Sequence, residues 1–175
     1  ILNQAKFNLT KNIADCLYTG ILTDTGSFKF SCTSENTHIS VGDLISKGVN
    51  ATEINNFIYN NYSYDRIKLL GHCLTNKLKI YNKNSAIISL SDAELNRFKF
   101  KKGDTEGIIN YALSIKEVIF AVFIVEKDNA VKLSFRSLGN INVQDISKRY
   151  FGGGGHFNAA GAKSDLPLDE TIKKV

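Results

Sequence analysis

The eight residues Val118–Val125, VIFAVFIV, constrain this chain more than any other segment. They are apolar throughout and rich in β-branched and aromatic side chains. A run of that kind has no face to offer water, so it reads as a central strand buried on both sides. Asp128-Asn129 turns the chain, and Val131–Phe135 returns as the hairpin partner. Alternation there puts Leu133 and Phe135 on one side and Ser134 and Arg136 on the other. Ser85–Leu90, SAIISL, is a further short apolar strand.

The chain ahead of these strands is patterned differently. Ile13, Leu17 and Ile21 recur at helical spacing, and Ile39–Ile45 and Ile54–Ile58 repeat the pattern. Gly48 marks a helix stop after Lys47. Tyr62–Leu74 is again helical, with Ile67, Leu70 and Leu74 on one side. Ser91-Asp92-Ala93-Glu94 is a capping box. Asp104-Thr105-Glu106 places acidic residues where the macrodipole of another helix would favour them. His38 and His72 fall on helical segments with no partner in sight. The expected architecture is α/β: a helical part over 1–61, a linker helix over 62–76, and a smaller α/β domain with a mixed sheet over 77–175.

Composition narrows the class. At 175 residues, 43% apolar and 22% charged, the chain is globular in character and long enough for one ordinary domain or two small ones. No apolar run approaches the 18 or so residues of a membrane helix. Three widely spaced cysteines, Cys16, Cys32 and Cys73, read as free thiols in a reducing compartment, hence a cytoplasmic location. The net charge is +5, but residues 1–60 carry −1 and residues 61–175 carry +6. An anionic ligand suits the second part. The sequence contains no Met, so the expectation is a chain that forms the C-terminal part of something longer.

Four groups of residues could carry chemistry. The run Gly152-Gly153-Gly154-Gly155-His156 precedes Phe157-Asn158-Ala159-Ala160-Gly161-Ala162. Glycines let backbone N–H groups converge, and a nest leading into a helix would cradle a phosphate. A glycine hinge is the plain alternative. Arg136, followed by Ser137, ends the hairpin strand; its guanidinium matches a phosphate in a forked pair of hydrogen bonds, or simply decorates an edge. Asp24, in Thr23-Asp24-Thr25-Gly26, is either a ligand for a hard divalent ion or part of a helix-ending turn. Gly107 and Asn110 sit where a glycine is unfavourable in a first helical turn, which suggests a close approach to a ligand, or packing.

Taken together, TGILTDTGSFKF (19–30), KKGDTEGIINYALSI (101–115), SFRS (134–137) and GGGGHFNAAGA (152–162) resemble the DHH-type phosphoesterases with a DHH-associated C-terminal domain. Within them the phrases look most like the bifunctional oligoribonuclease (nanoRNase) and 3′-phosphoadenosine-5′-phosphate (pAp) phosphatase group. The resemblance implies two Mn²⁺ ions, replaceable by Mg²⁺, that activate water and clamp the phosphate. Asp24 matches the family's metal-binding, catalytic Asp. Arg136, Ser137, Gly153, Gly154, Gly155, His156, Gly107 and Asn110 match its substrate-holding phrases. The implied substrates are short RNA or DNA oligonucleotides and pAp, with no membrane involvement, and the protein is expected to be a homodimer. The Asp-His-His phrase that names the family is absent, and the chain has three His in total. The expectation is therefore that this chain by itself does not assemble the two-metal centre. Two alternatives stay open: a cyclic-dinucleotide phosphodiesterase or RecJ-type exonuclease, and, from another class, a non-catalytic nucleic-acid-binding module.

Overall fold

The fold is that of a computed structural model describing residues 9–175. The chain divides into two compact units, Ile1–Tyr62 and Ser63–Val175.

The first unit is helical among its described residues: α1 (Lys11–Asp24), α2 (Glu35–Ser46) and α3 (Ala51–Tyr59). The helix starts are written locally. Ser34 and Thr37 form a reciprocal capping box on α2, and the Asn50 side chain accepts the Glu53 N–H at the start of α3. Ala14, Tyr18 and Leu22 of α1 pack with Val41, Leu44 and Val49. Gly48, at φ +92°, takes the left-handed conformation expected just past a helix end.

The second unit is a six-stranded sheet with helices on both faces. Helix α4 (Tyr64–His72) opens it and runs into a π-helical turn, Cys73–Lys77. The expected linker helix thus lies within this unit, and Leu69 and Cys73 are fully buried in its core. The strands are β1 (Leu78–Tyr81), β2 (Ser85–Leu90), β3 (Phe120–Lys127), β4 (Ala130–Ser137), β5 (Gly154–His156) and β6 (Ala159–Ser164). Their order is β1-β2-β3-β4-β6-β5, with β2 and β3 parallel and every other pair antiparallel. The apolar run forms β3 at the middle of the sheet. The strand begins at Phe120, two residues later than the run itself. Asp128 and Asn129, at φ +52° and +58°, make the tight hairpin turn.

The parallel pair needs a long crossover, which carries α5 (Asp92–Arg97) and α6 (Ile108–Leu113). Leu95, Ile108, Ile109 and Ala112 cover Ala86, Ile88, Ala121 and Phe123 on one face. On the other, α7 (Val143–Phe151) and α8 (Leu168–Lys174) cover Val122, Ile124, Val131, Leu133 and Phe135. Each fully buried side chain of this size contributes about 2 kcal/mol. Two local expectations need correction. Asp104 and Glu106 precede α6 instead of starting it; Asp104 accepts the Lys101 N–H in a turn. Gly107 is the residue before α6, at φ +82°, and not part of its first turn.

Candidate phosphate-binding face

Helix α7 ends at the glycine run. Gly152 adopts φ +61° and caps the helix through the carbonyls of Ser147 and Lys148. Gly153 lies where α7 meets β6. A Cβ there would fall 2.3 Å from both the Gly161 carbonyl oxygen and Ser147 Oγ. That hydroxyl is fully buried and donates to the same carbonyl at 2.8 Å. Gly154–His156 then runs as the edge strand β5 against Ala159–Gly161. Gly155, at φ +146°, comes so close to β6 that a Cβ would sit 2.5 Å from the Ala159 carbonyl oxygen.

The expected nest at a helix start is therefore not what forms. A strand follows the glycines, and the helix beside them presents its C-terminal end, whose partial charge is negative. The glycines serve close approach of two backbones. Attraction for an anion falls instead to side chains on the sheet.

Strand register places those side chains. Arg136 of β4 pairs with Ala159 of β6, and Ala159 pairs with His156 of β5. Directly opposed residues share a face, so Arg136 and His156 flank Ala159 in one row, about 10 Å apart at Cα. The methyl of Ala159 leaves the floor between them low. The next row is Ser134, Gly161 and Gly154, equally small. Arg136 is half-buried, donates from Nη1 to the Phe135 carbonyl at 3.0 Å, and has no carboxylate partner among the described residues. A partly desolvated guanidinium in that position has donors left for a ligand.

Ser137 is placed otherwise. It is buried, donates to the Ile141 carbonyl at 2.7 Å and accepts from the Asn158 amide at 2.9 Å. Asn158 also donates to the Gly139 carbonyl, and the Phe157 carbonyl accepts the Val143 N–H. These bonds lock the β5–β6 turn to the loop after β4, which holds His156 level with Arg136. Asn158 stands inside the GGGGHFNAAGA phrase, but the pattern does not single it out as the residue that fixes this turn. Helix α6 packs against β2, β3 and β4, on the face that Arg136 shares. Asn110 is exposed in its first turn, and Gly107 is exposed just before it.

Asp24 belongs to the other unit. It is the last residue of α1 and is exposed. The turn that closes this helix is built from its neighbours. The Ser27 N–H reaches the Leu22 carbonyl, the Gly26 N–H reaches the Thr23 carbonyl, and Gly26 sits at φ +56°. The Thr25 hydroxyl donates to the Ile21 carbonyl. None of this uses the Asp24 carboxylate. Among the described residues no three His, Cys, Asp or Glu side chains gather closely enough to hold an ion. The residues present do not by themselves fit the expected pair of Mn²⁺ ions.

His72, expected to lack a partner, has two. Its Nε2 lies 2.8 Å from Glu94 Oε1, and its Nδ1 lies 3.2 Å from the Asn76 amide. Lys77 pairs with the same carboxylate at 3.0 Å. The π-helical turn brings Asn76 and Lys77 to this corner. Burial works against the charge of Glu94, but the Ser91 N–H, His72, Lys77 and the Ser91 hydroxyl outweigh it and hold the carboxyl at about 2. Burial, reinforced by the Glu94 charge, pushes the neighbouring Cys73 thiol up to about 12. It is an inert core thiol.

Residues 82–175 match the DHHA1 domain, and the chain belongs to that family. Over 168 residues it is 31% identical to the bifunctional oligoribonuclease and PAP phosphatase NrnA of Thermus thermophilus, covering 95% of this chain and 49% of that protein. It is 32% identical to the cyclic-di-AMP phosphodiesterase GdpP of Bacillus subtilis, covering 98% of this chain and 25% of that protein. The crystal structure of an exopolyphosphatase-related protein from Bacteroides fragilis superposes with a TM-score of 0.94 at 36% identity, covering 99% of this chain and 52% of that one. The chain thus spans about half the length of NrnA and of the solved structure. No helix among the described residues is long and apolar enough to cross a membrane.

Proposed function

We propose that this chain is the ligand-holding part of a phosphoesterase that hydrolyses short oligonucleotides to mononucleotides and pAp to AMP and phosphate. The observation that carries the reading is the half-buried Arg136, without a carboxylate partner, in one row with His156 over the small residue Ala159. Arg136 grips a phosphate through two parallel hydrogen bonds. His156 donates from the opposite side of Ala159. Gly154 leaves room for the backbone of the ligand, and Asn110 with Gly107 borders the site from α6. Ser137 and Asn158 hold the turn that presents His156. Mn²⁺, with Mg²⁺ as substitute, is the cofactor of this reading, and Asp24 is one donor toward it. The names of the relatives support the substrate class. The same reading carries a cytoplasmic homodimer.

The test is hydrolysis of pAp and of a dinucleotide by the full-length protein with Mn²⁺. Arg136→Ala should lower kcat/KM about 100-fold with an unchanged melting temperature, the scale of losing a forked charged contact. Arg136→Lys should recover only part, because an ammonium has no fork. An unchanged kcat/KM in Arg136→Ala removes the residue from the site. A second reading, a cyclic-dinucleotide phosphodiesterase, rests on the likeness to GdpP. Faster turnover of cyclic-di-AMP than of pAp would select it.

A further inference from the structure

Two rows along the same face from Arg136 lies a second cationic pair. Lys132 of β4 is directly opposite Lys163 of β6. Both are exposed, and neither makes an ion pair among the described residues. Opposed like charges on adjacent strands repel, with Cβ atoms about 5 Å apart. No nearby carboxylate offsets them: Asp165, two residues beyond Lys163, is exposed and forms no ion pair with either lysine among the described residues. Glu126 accepts the Asp92 N–H at 3.4 Å, and Asp128 lies 3.9 Å from Lys127. Strand β5 stops at Gly154, whose partner is Gly161, so no strand flanks Lys163 on its outer side. Between the two cationic rows lie only Ser134, Gly161 and Gly154.

We infer that Lys132 and Lys163 form a second anion subsite, which holds a downstream phosphate of a single-stranded oligonucleotide whose first phosphate sits at Arg136 and His156. Four residues of strand separate the two rows, about 14 Å. At the roughly 3.4 Å rise of a stacked strand that distance is about four nucleotides. A mononucleotide such as pAp cannot reach across it. The low floor between the rows admits a sugar-phosphate chain laid along β4 and β6. The inference rests on the proposed function and gives it a length preference: the subsite adds affinity for oligomers of about four or five residues and none for pAp.

The experiment compares the full-length protein with its Lys132→Gln/Lys163→Gln variant. Binding of pAp, a dinucleotide and a pentanucleotide is measured by calorimetry at several salt concentrations. The pentanucleotide should bind about tenfold more weakly to the variant at low salt, and its salt slope should fall by about 1 to 2. Binding of pAp and of the dinucleotide should stay within about twofold. The melting temperature should hold or rise, since a repulsive pair is removed. Unchanged pentanucleotide binding overturns the subsite. An equal loss for pAp overturns it too, since it shows a general field effect. If the unaltered protein binds neither pAp nor oligonucleotides, the proposed function itself falls.

Discussion

Two glycine-bearing helix ends, one in each unit, each suggest either a ligand site or a plain turn from pattern, and they turn out to be different objects. At the end of α1, Gly26 takes a left-handed conformation so that the chain can fold back and satisfy the last carbonyls. Space there is easily made. The ring of Phe30 lies nearest, and that side chain is more than half exposed. At the end of α7, Gly152 does the same work, but Gly153 and Gly155 answer a separate demand, contact between two backbones. In neither place does the glycine touch a ligand by necessity. The side chains proposed to act stand on adjacent residues, Asp24 in one case and His156 in the other. A glycine-rich phrase therefore reports a backbone demand, and by itself it does not identify a group that acts.

Substitution breaks this comparison in a ranked way. Gly153→Ala should be the most damaging. Its Cβ meets a backbone carbonyl and a buried hydroxyl that cannot withdraw, so a loss of about 3 kcal/mol is expected, read as a shifted denaturation midpoint. Acid should separate the two units next. The Glu94 carboxyl is held at about 2 against an ordinary 4.5, so its contribution is present above pH 4.5 and disappears as pH falls through 2. That shift corresponds to about 3 kcal/mol, and partial exposure of the carboxylate reduces it to about 2. Amide exchange in the Ser63–Val175 unit should accelerate across this window, and Glu94→Gln should abolish the step. The smallest contrast is between Gly26→Ala and Gly154→Ala. The first retains a left-handed backbone cost of about 1 kcal/mol. The second has open space and ordinary backbone angles, so its stability should change by less than about 0.5 kcal/mol.

Legibility followed how local the determinants are. Helices α1 to α3, the capping box at Ser91 and the β3–β4 hairpin were readable, because periodicity, side-chain caps and a two-residue turn act within a few residues. Strands β5 and β6 were not. Gly154–His156 and Ala159–Ser164 contain no β-branched or large aromatic residue, and they are strands because β4 supplies a partner ladder. The reading of the glycine run as a helix start failed for that reason. His72 looked solitary because Glu94 is 22 residues away on another helix, and because the π-helical turn that carries its second partner, Asn76, has no local signature. For the candidate site, Arg136 was correctly set on the face opposite Leu133 and Phe135, since alternation alone decides that. Its alignment with His156 depends on register across two strand pairs, which no local pattern encodes.

The single parallel pair in the sheet has one more consequence. The segment joining β2 to β3 covers the same face as the cationic rows and reaches β4 through α6, while the rows themselves belong to β4, β6 and β5. Its helices act as a wall whose height is independent of the floor. Insertions or deletions between Ser91 and Ile119 would widen or narrow the entrance to the face while leaving every cation in register. A lineage carrying this sheet could thus retune how bulky a ligand it admits without altering the residues proposed to recognise charge.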